Sequence, residues 1–493
     1  MDDVLIVRSK PRSKVSMRIR SITLTPGLGI EEAAAASKKH ILFDPEVFSS
    51  NQFEVGAISD FLGKITIPNE VNLVFQELQL PKECQEKLMM INFCVYPNPN
   101  EFIISEDGKF AFSSFSQLIL HLTSPNFCNP SLQRVLLLTM ISYIHPILFF
   151  SALIVRYYSF VGFSQSNVSD NTQMKLIRHR IVSIIGLWSK LCNYHFTNKL
   201  LGGLSLFSDL LTKANSLEET NQKIVRSSVN HIKKQITQMI RPIALKSECV
   251  GPNTMLKQFL DSPTEALAKQ ITLRNSYLFR SIMQHEWIQS IFTEEKRGSL
   301  KDLITYFDQL TRFVSFSVVF GTNERERADI YTMWAKVSIH LRQSNDFMGL
   351  FSVISGLTHK SVSRLIKTIR LSLKYLGKQK STFESLFVIC EMDNDFKNYR
   401  EVISSSPSPS IPFIACFQKD WVYFRETYCP PPLGLISIKH LESAVEMLDR
   451  VSWYQNDEYS FSTDENIQSL LRGLPDPPSS KSLMAISLLR EPN

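Results

Sequence analysis

The sequence predicts an all-α protein, and three observations carry that expectation. Apolar residues recur at helical spacing through most of the chain. Glycine is scarce, 17 in 493 residues, which argues against a turn-dense β protein and against Gly-rich nucleotide folds. Prolines cluster between periodic stretches in the last third, at 404–412, 429–434 and 475–480. A composition 44% apolar and 20% charged excludes a disordered chain. At roughly 100–200 residues per domain, this length predicts two to four domains.

Residues 1–40 open with Arg8, Lys10, Arg12, Lys14, Arg18 and Arg20 and run into EEAAAASKK. They read first as a disordered, solvated basic tail and second as a contact for anionic lipid, that is, peripheral membrane association. The same stretch has neither the long apolar core nor the small-residue cleavage site of a signal peptide.

Residues 41–100 predict a small helical region. Val71, Leu73, Val74, Phe75, Leu78 and Leu80 lead to Pro81, a residue suited to open a second helix. From Val135 to Ile154 no charged residue appears. Length alone allows one membrane span. Pro146 in its middle allows two buried helices instead, because proline removes an amide donor and clashes with the preceding turn.

Helical periodicity continues at Leu204, Phe207, Leu210 and Leu211, and at Ile232, Ile236 and Ile240; ECVGPN at 248–253 reads as a boundary. Leu267, Ile271, Leu278 and Ile282 form one predicted stripe. Between the last proline clusters, FIACFQKDWVYFRETY at 413–428 predicts a short helix. A second helix is predicted from Ser437 to Trp453, and the two together read as a helical hairpin.

Covalent chemistry has no visible constellation. H-E-x-x-H, G-x-S-x-G, Walker and G-x-G-x-x-G patterns are all missing. The ten histidines form no i, i+4 pair, so residues such as His179 and His195 read as ordinary helix residues and no metal site is expected. The eight cysteines include no C-x-x-C and are too sparse for a disulfide scaffold, which predicts reduced thiols in a cytosolic protein. Cys390 and Cys416 sit in apolar runs that raise a thiol pKa. The net charge of +7 is scattered rather than striped, which disfavours nucleic acid.

Four ordered blocks carry a resemblance. DSPTEALAKQITLRNSYLFRSIMQHEW at 261–287 matches through Pro263, Glu265, Gln270, Thr272, Leu278, Phe279, Glu286 and Trp287. RADIYTMWAKVSIHLRQSNDFMGLFSVISGLTHKSVSRLIKT at 327–368 matches through Arg327, Asn345, Phe347, Gly356, Arg364 and Thr368. Asn398-Tyr399-Arg400 with Ile411-Pro412-Phe413 is the third block, and Ile436 to Tyr459, with Lys439 and Gln455, the fourth. Together they resemble the catalytic domain of Ras-family guanine-nucleotide exchange factors (RasGEF). Upstream, Thr139, Tyr143, Pro146, Phe149 and Arg156, then Ile177, Arg178, Arg180 and Trp188, resemble the Ras exchanger motif domain that precedes it. On this resemblance the uncharged run is two buried helices.

The resemblance implies an architecture. An N-terminal exchanger-motif domain (101–245) packs on a larger helical catalytic domain (246–475) with a protruding hairpin, and 476–493 is a C-terminal tail. It implies an exchange factor, a conformational catalyst without covalent chemistry or cofactor. Mg²⁺, GDP and GTP belong to its partner, a small GTPase of the Ras/Rap/Ral class. The expected location is cytoplasmic, with recruitment to the inner face of the plasma membrane.

In this family a hairpin helix wedges open the GTPase's first switch. Carried over by position, Val422 is the apolar residue that blocks the metal position, and Glu426 is the carboxylate that competes near the α-phosphate. Lys419 faces the GTPase, and Phe413 packs the hairpin on the core. Thr358, Lys360, Ser363 and Phe396 fall where the family touches the second switch.

The hairpin departs from the family's E-E-G-N-P: here Arg425 replaces the first carboxylate, and Thr427 the glycine. A catalytically weak scaffold with the same fold therefore stands as the alternative to an active exchanger.

Overall fold

Pro146 is the first residue of a helix, where a missing amide donor costs nothing. This settles the uncharged run. Helix α4 (Pro130–Leu138), a short 3₁₀ turn (Met140–Ser142) and α5 (Pro146–Tyr158) share it. The chain turns at the proline, with Leu148 and Phe149 amides donating to the His145 carbonyl. No described helix is long and apolar enough to cross a membrane.

The computed structural model describes residues 67–90, 102–104, 110–125, 129–158, 168–213, 219–239, 251–294, 296, 298–428, 435–475 and 478–492. The expected tail at 1–40 lies outside them, as do the expected boundary near 245 and the connection at 429–434.

The all-α expectation holds among the described residues, with one small sheet. Helices α1 (Asn69–Glu77) and α2 (Lys82–Met90) pack on α5, and α1 also on α7 (Asn198–Lys213). Within the small helical region expected at 41–100, the buried Val71, Val74 and Phe75 of this pair share a core with α5 and α7. Helix α3 (Phe115–Thr123) and α6 (Val168–Leu191) close over α4 and α5, and α8 (Glu219–Met239) packs along α6. Trp188 anchors this part: its ring meets Phe149 edge-on at 5.4 Å, and its Nε1 donates to His195 at 2.9 Å.

The second half is built around α12 (Gly298–Phe320), α13 (Glu324–Gln343) and α14 (Phe347–Leu357), joined by α9 (Pro252–Asp261), α10 (Thr264–Arg280) and α11 (Gln284–Phe292). Ile282, expected on the α10 stripe, lies just past the end of that helix, still buried. Gly356 lets α14 approach α12 closely; a Cβ there would lie 2.6 Å from Val314 Cβ. Asp346 caps α14, accepting from the Gly349 amide at 2.9 Å and from Asn275 Nδ2 at 2.9 Å, while full burial pushes its carboxyl up to about 6.

After α14 come the four-residue α15 (Lys360–Ser363), α16 (Ile366–Leu376), α17 (Lys380–Ile389) and α18 (Asp393–Ser404). The hairpin helices are next, α19 (Ile414–Glu426) and α20 (Ile438–Trp453), both lying against α11. Ser437, expected to begin the second of them, is its N-cap. Strands β1 (Phe102–Ile104), β2 (Phe110–Ser113) and β3 (Ile436–Ser437) form an antiparallel sheet in that order. It ties the start of α20 to the N-terminal half, and Arg134 adds a bidentate pair to Asp449 at 2.6 and 3.0 Å.

Helix α21 (Glu465–Arg472) packs on α10. The C-terminal tail expected at 476–493 contains a helix. Residues 480–490 form α22, whose Leu483 and Ser487 are buried against the body. Its sequence reads SKSLMAISLLR, a mix of polar and apolar residues whose helical face shows only once it is docked.

Candidate functional site: the exposed face of the hairpin helix

Helix α19 presents two different faces. Ile414, Trp421 and Phe424 are buried, with Phe417 and Arg425 half-buried beside them. Lys419, Val422, Tyr423 and Glu426, at i, i+3, i+4 and i+7, form one stripe on the other side. Val422 is 37% and Tyr423 70% exposed, so two apolar side chains face solvent at its centre.

The buried face is pinned at several points. At its start, Phe413 is 2% exposed and stacks on Phe351 at 3.9 Å with ring planes 6° apart. Its amide donates to Tyr399 Oη at 2.7 Å. Phe396 meets the Phe413 ring at 6.0 Å. In the middle, Trp421 meets Trp287 edge-on at 5.8 Å, and Arg400 holds Asp420 through two bonds of 2.6 and 3.1 Å. Asp420 is the main reason the Arg400 guanidinium is held above its ordinary pKa. At the end, Arg425 Nη1 donates to the Ser290 and Ile291 carbonyls at 2.8 and 3.1 Å. Those carbonyls lie in the last turn of α11, where backbone acceptors lack helix partners.

The far ends of the two hairpin helices meet in an aromatic knot. His440 stacks on Phe424 at 4.0 Å and on Tyr428 at 3.9 Å, and Phe292 of α11 lies 5.8 Å from Phe424. Burial lowers the His440 pKa to about 4, so the ring stacks as a neutral imidazole. Just past the end of α20, Gln455 ties the chain to α10: its Nε2 donates to the Phe279 and Ile282 carbonyls at 2.7 and 3.0 Å. Its Oε1 accepts from Trp287 Nε1 at 3.2 Å.

Lys419 sits on the outer stripe, but its charge is answered. Its Nζ lies 2.7 Å from Asp395 Oδ1 and 5.5 Å from the centre of the Phe396 ring. Hydrogen bonding to Lys419 is the largest cause holding the Asp395 carboxyl below its usual range. Asn394, Asp395 and Phe396 have φ of +50°, +59° and +59°, a left-handed turn at the start of α18. Asn and Asp tolerate this region; for Phe it is strained. The turn is what brings the Asp395 carboxylate and the Phe396 ring beneath Lys419.

Thr358, Lys360 and Ser363 lie in a separate segment. Thr358 caps the C-terminal end of α14 and bonds the Ile354 carbonyl at 2.8 Å; Lys360 and Ser363 are exposed on α15. Both parts are indexed to α14. Phe351 holds Phe413, and Thr358 comes seven residues later, roughly 10 Å along the helix. Among the described residues no hydrogen bond, ion pair or ring contact joins Lys360 or Ser363 to the α19 stripe, whereas Phe396, Phe413 and Lys419 form one cluster.

A groove of about 380 Å³ runs beside the stripe, lined by Ser290, Thr293 and Lys296 on the α11 side and by Lys419, Val422 and Arg425 on α19. Among the described residues no His, Cys, Asp and Glu cluster could hold a metal ion. Burial raises the Cys416 thiol pKa to about 12 and that of Cys390 further.

Sequence reasoning missed Tyr423, the clamp by Arg400 and Asp420, and the inward turn of Arg425. Counting helical positions from Lys419 finds Tyr423. Neither of the others has a local signal, because their partners lie 20 and about 135 residues away in the chain.

The helical body thus pins one face of α19 and leaves the other exposed. Residues 266–441 match the family model of the RasGEF domain. Ras guanine nucleotide exchange factor M of Dictyostelium discoideum is 27% identical over 222 residues, 43% of this chain and 24% of that protein. Ras guanine nucleotide exchange factor S of the same organism is 20% identical over 416 residues, 79% of this chain and 38% of that protein, an alignment long enough to reach well upstream of residue 266. Human Rap guanine nucleotide exchange factor-like 1 is 27% identical over 197 residues, 39% of this chain and 29% of that protein. The chain thus spans less than half the length of these three relatives.

Proposed function

We propose that this chain is a guanine-nucleotide exchange factor for a Ras-like small GTPase. The outer stripe of Lys419, Val422, Tyr423 and Glu426, on a helix inside the RasGEF-matching segment, carries this reading. Val422 blocks the partner's metal position, and Glu426 sets a negative charge against the nucleotide phosphate. Nanomolar nucleotide binding is worth roughly −12 kcal/mol, so release is slow unless the pocket is deformed. By linkage, the exchanger binds the empty GTPase more tightly by the same factor that it weakens nucleotide. A rigid wedge supplies that difference better than a flexible one, and the pinned inner face of α19 supports rigidity. Phe413 and Phe396 brace the wedge. Thr358, Lys360 and Ser363 contact the second switch. GDP, GTP and Mg²⁺ stay with the partner.

The N-terminal half is an exchanger-motif region that steadies α20. Support comes from the β2–β3 pairing, from Arg134 on Asp449, and from the length of the alignment with exchange factor S. The site of action is the cytoplasmic face of the plasma membrane, with the basic residues between Arg8 and Arg20 as the lipid contact; they lie outside the described residues.

The test is release of fluorescent GDP from a panel of Ras, Rap and Ral proteins by the full chain in catalytic amounts. Acceleration on at least one is expected, with Glu426→Ala slower by about tenfold or more at an unchanged circular dichroism spectrum. Spontaneous rates across the whole panel overturn the reading.

Arg425 in the family's carboxylate position, and Lys419 engaged by Asp395, favour a second reading, a RasGEF-fold scaffold that binds without exchange. It predicts a complex whose affinity does not rise when nucleotide is stripped.

A further inference from the structure

The segment carrying Lys360 and Ser363 is a four-residue helix, too short to hold its own shape. What holds it comes from the other end of the chain. Ser487 Oγ of α22 donates to the Ser361 carbonyl at 2.5 Å, and both residues are fully buried. Arg364, directly after the segment, donates from Nη1 to the Ser487 carbonyl at 2.6 Å and from Nη2 to the Glu491 carbonyl at 2.7 Å. The Ser487 carbonyl also accepts from the Glu491 amide at 3.2 Å, so Arg364 adds a charged donor to the turn that closes α22.

The Glu491 carboxylate completes the circuit. It accepts from the amides of Lys367 and Thr368 at 3.1 and 3.0 Å and from Thr368 Oγ1 at 2.7 Å. Those amides belong to the first turn of α16, whose partial positive charge favours a carboxylate. Arg327 of α13, 3% exposed, lies 3.6 Å from the same carboxylate and donates to Thr368 Oγ1 at 3.1 Å. Burial works to raise the Glu491 carboxyl pKa, but the bonds from Thr368 and Lys367 and the charge of Arg327 outweigh it, leaving the carboxyl below its ordinary range. Each helix end here caps the other, with one bond inside Lys360–Ser363, at Ser361, and the others directly after it, at residues 364–368.

We propose that Glu491 and Arg364 are positioning residues for the GTPase contact, holding Lys360 and Ser363 in docking orientation through the clamp of α22 on α15 and α16. This rests on the exchange reading above. The clamp touches neither the α19 stripe nor its supports, so its loss weakens docking and leaves the wedge intact.

Glu491→Gln in the full chain tests this. Exchange rates are measured against GTPase concentration, and backbone amide exchange is followed by mass spectrometry. The expected result is an apparent KM raised about fivefold or more, a limiting rate within about twofold of wild type, and faster exchange confined to residues 360–369. Arg364→Lys, which keeps the charge and one donor, is expected to fall between wild type and Glu491→Gln. If Glu491→Gln loses protection throughout, Arg364→Lys alone decides by the same split.

An unchanged KM despite faster local amide exchange overturns the proposal, as does a parallel fall in limiting rate and melting temperature with no KM change. Wild type inactive on every GTPase overturns the exchange reading, and the clamp proposal with it. Active wild type with an indifferent variant overturns the clamp alone.

Discussion

Replacing Arg425 with glutamate should loosen the hairpin rather than strengthen it. Arg425 donates to two carbonyls in the last turn of α11. Hydrogen bonds from a charged donor contribute about 1.5–3 kcal/mol. Glutamate also puts a negative charge at the negative end of a helix, a further cost of about 0.3–1 kcal/mol. Glu294 and Glu426 are close enough to act on the side chain at 425, and they would repel a third carboxylate. The sum is about 2–4 kcal/mol against docking of α19 on α11, so local opening should become roughly thirty- to several-hundred-fold more frequent. Native-state amide exchange of residues 288–292 and 419–428 reads this directly. Arg425→Met keeps the bulk and should show the hydrogen-bond part alone, about 1.5–3 kcal/mol. If Arg425→Glu leaves protection within about twofold of wild type, the carbonyl anchor is not what holds the helix.

The same contacts have other consequences. Phe413→Ala should destabilise the chain by about 3–5 kcal/mol in urea denaturation, since it empties a buried site stacked on Phe351. Because His440 titrates well below its ordinary value, the unfolded state binds its proton first. The stability this ring contributes is full above about pH 6.5 and falls as pH drops toward 4. Amide exchange near Phe424 and Tyr428 should accelerate over that range, and His440→Phe should remove the dependence. Glu491 is a carboxyl with a lowered pKa, so its contribution is present above the ordinary glutamate range and lost as pH falls below it. Protection of residues 366–369 should track that lower window in wild type and be insensitive to it in Glu491→Gln.

Much of the scaffold was legible from residue order because its causes are local. Spacing of Leu267, Ile271 and Leu278 marks one helix, Pro146 marks a break, and Ser437 marks a cap. The expected bounds of the hairpin helices, 413–428 and 437–453, lie within two residues of those observed. The C-terminal helix was not legible, since α22 is a weakly patterned stretch whose order comes from Arg364, Ser361 and Thr368, more than a hundred residues away. Nor was the sense of Arg425, which sequence offers only as a charge of one sign.

The amino-acid order by itself determined the helical class and the bounds of the two hairpin helices, because burial periodicity and capping act within a few residues. Tertiary structure alone decided which of their charges are free to meet a partner. Lys419 is matched by Asp395, Asp420 by Arg400 and Arg425 by backbone carbonyls, while Glu426 stays exposed. The reason is that electrostatic pairing depends on distance in space, and a chain sets that distance only once its distant helices have packed.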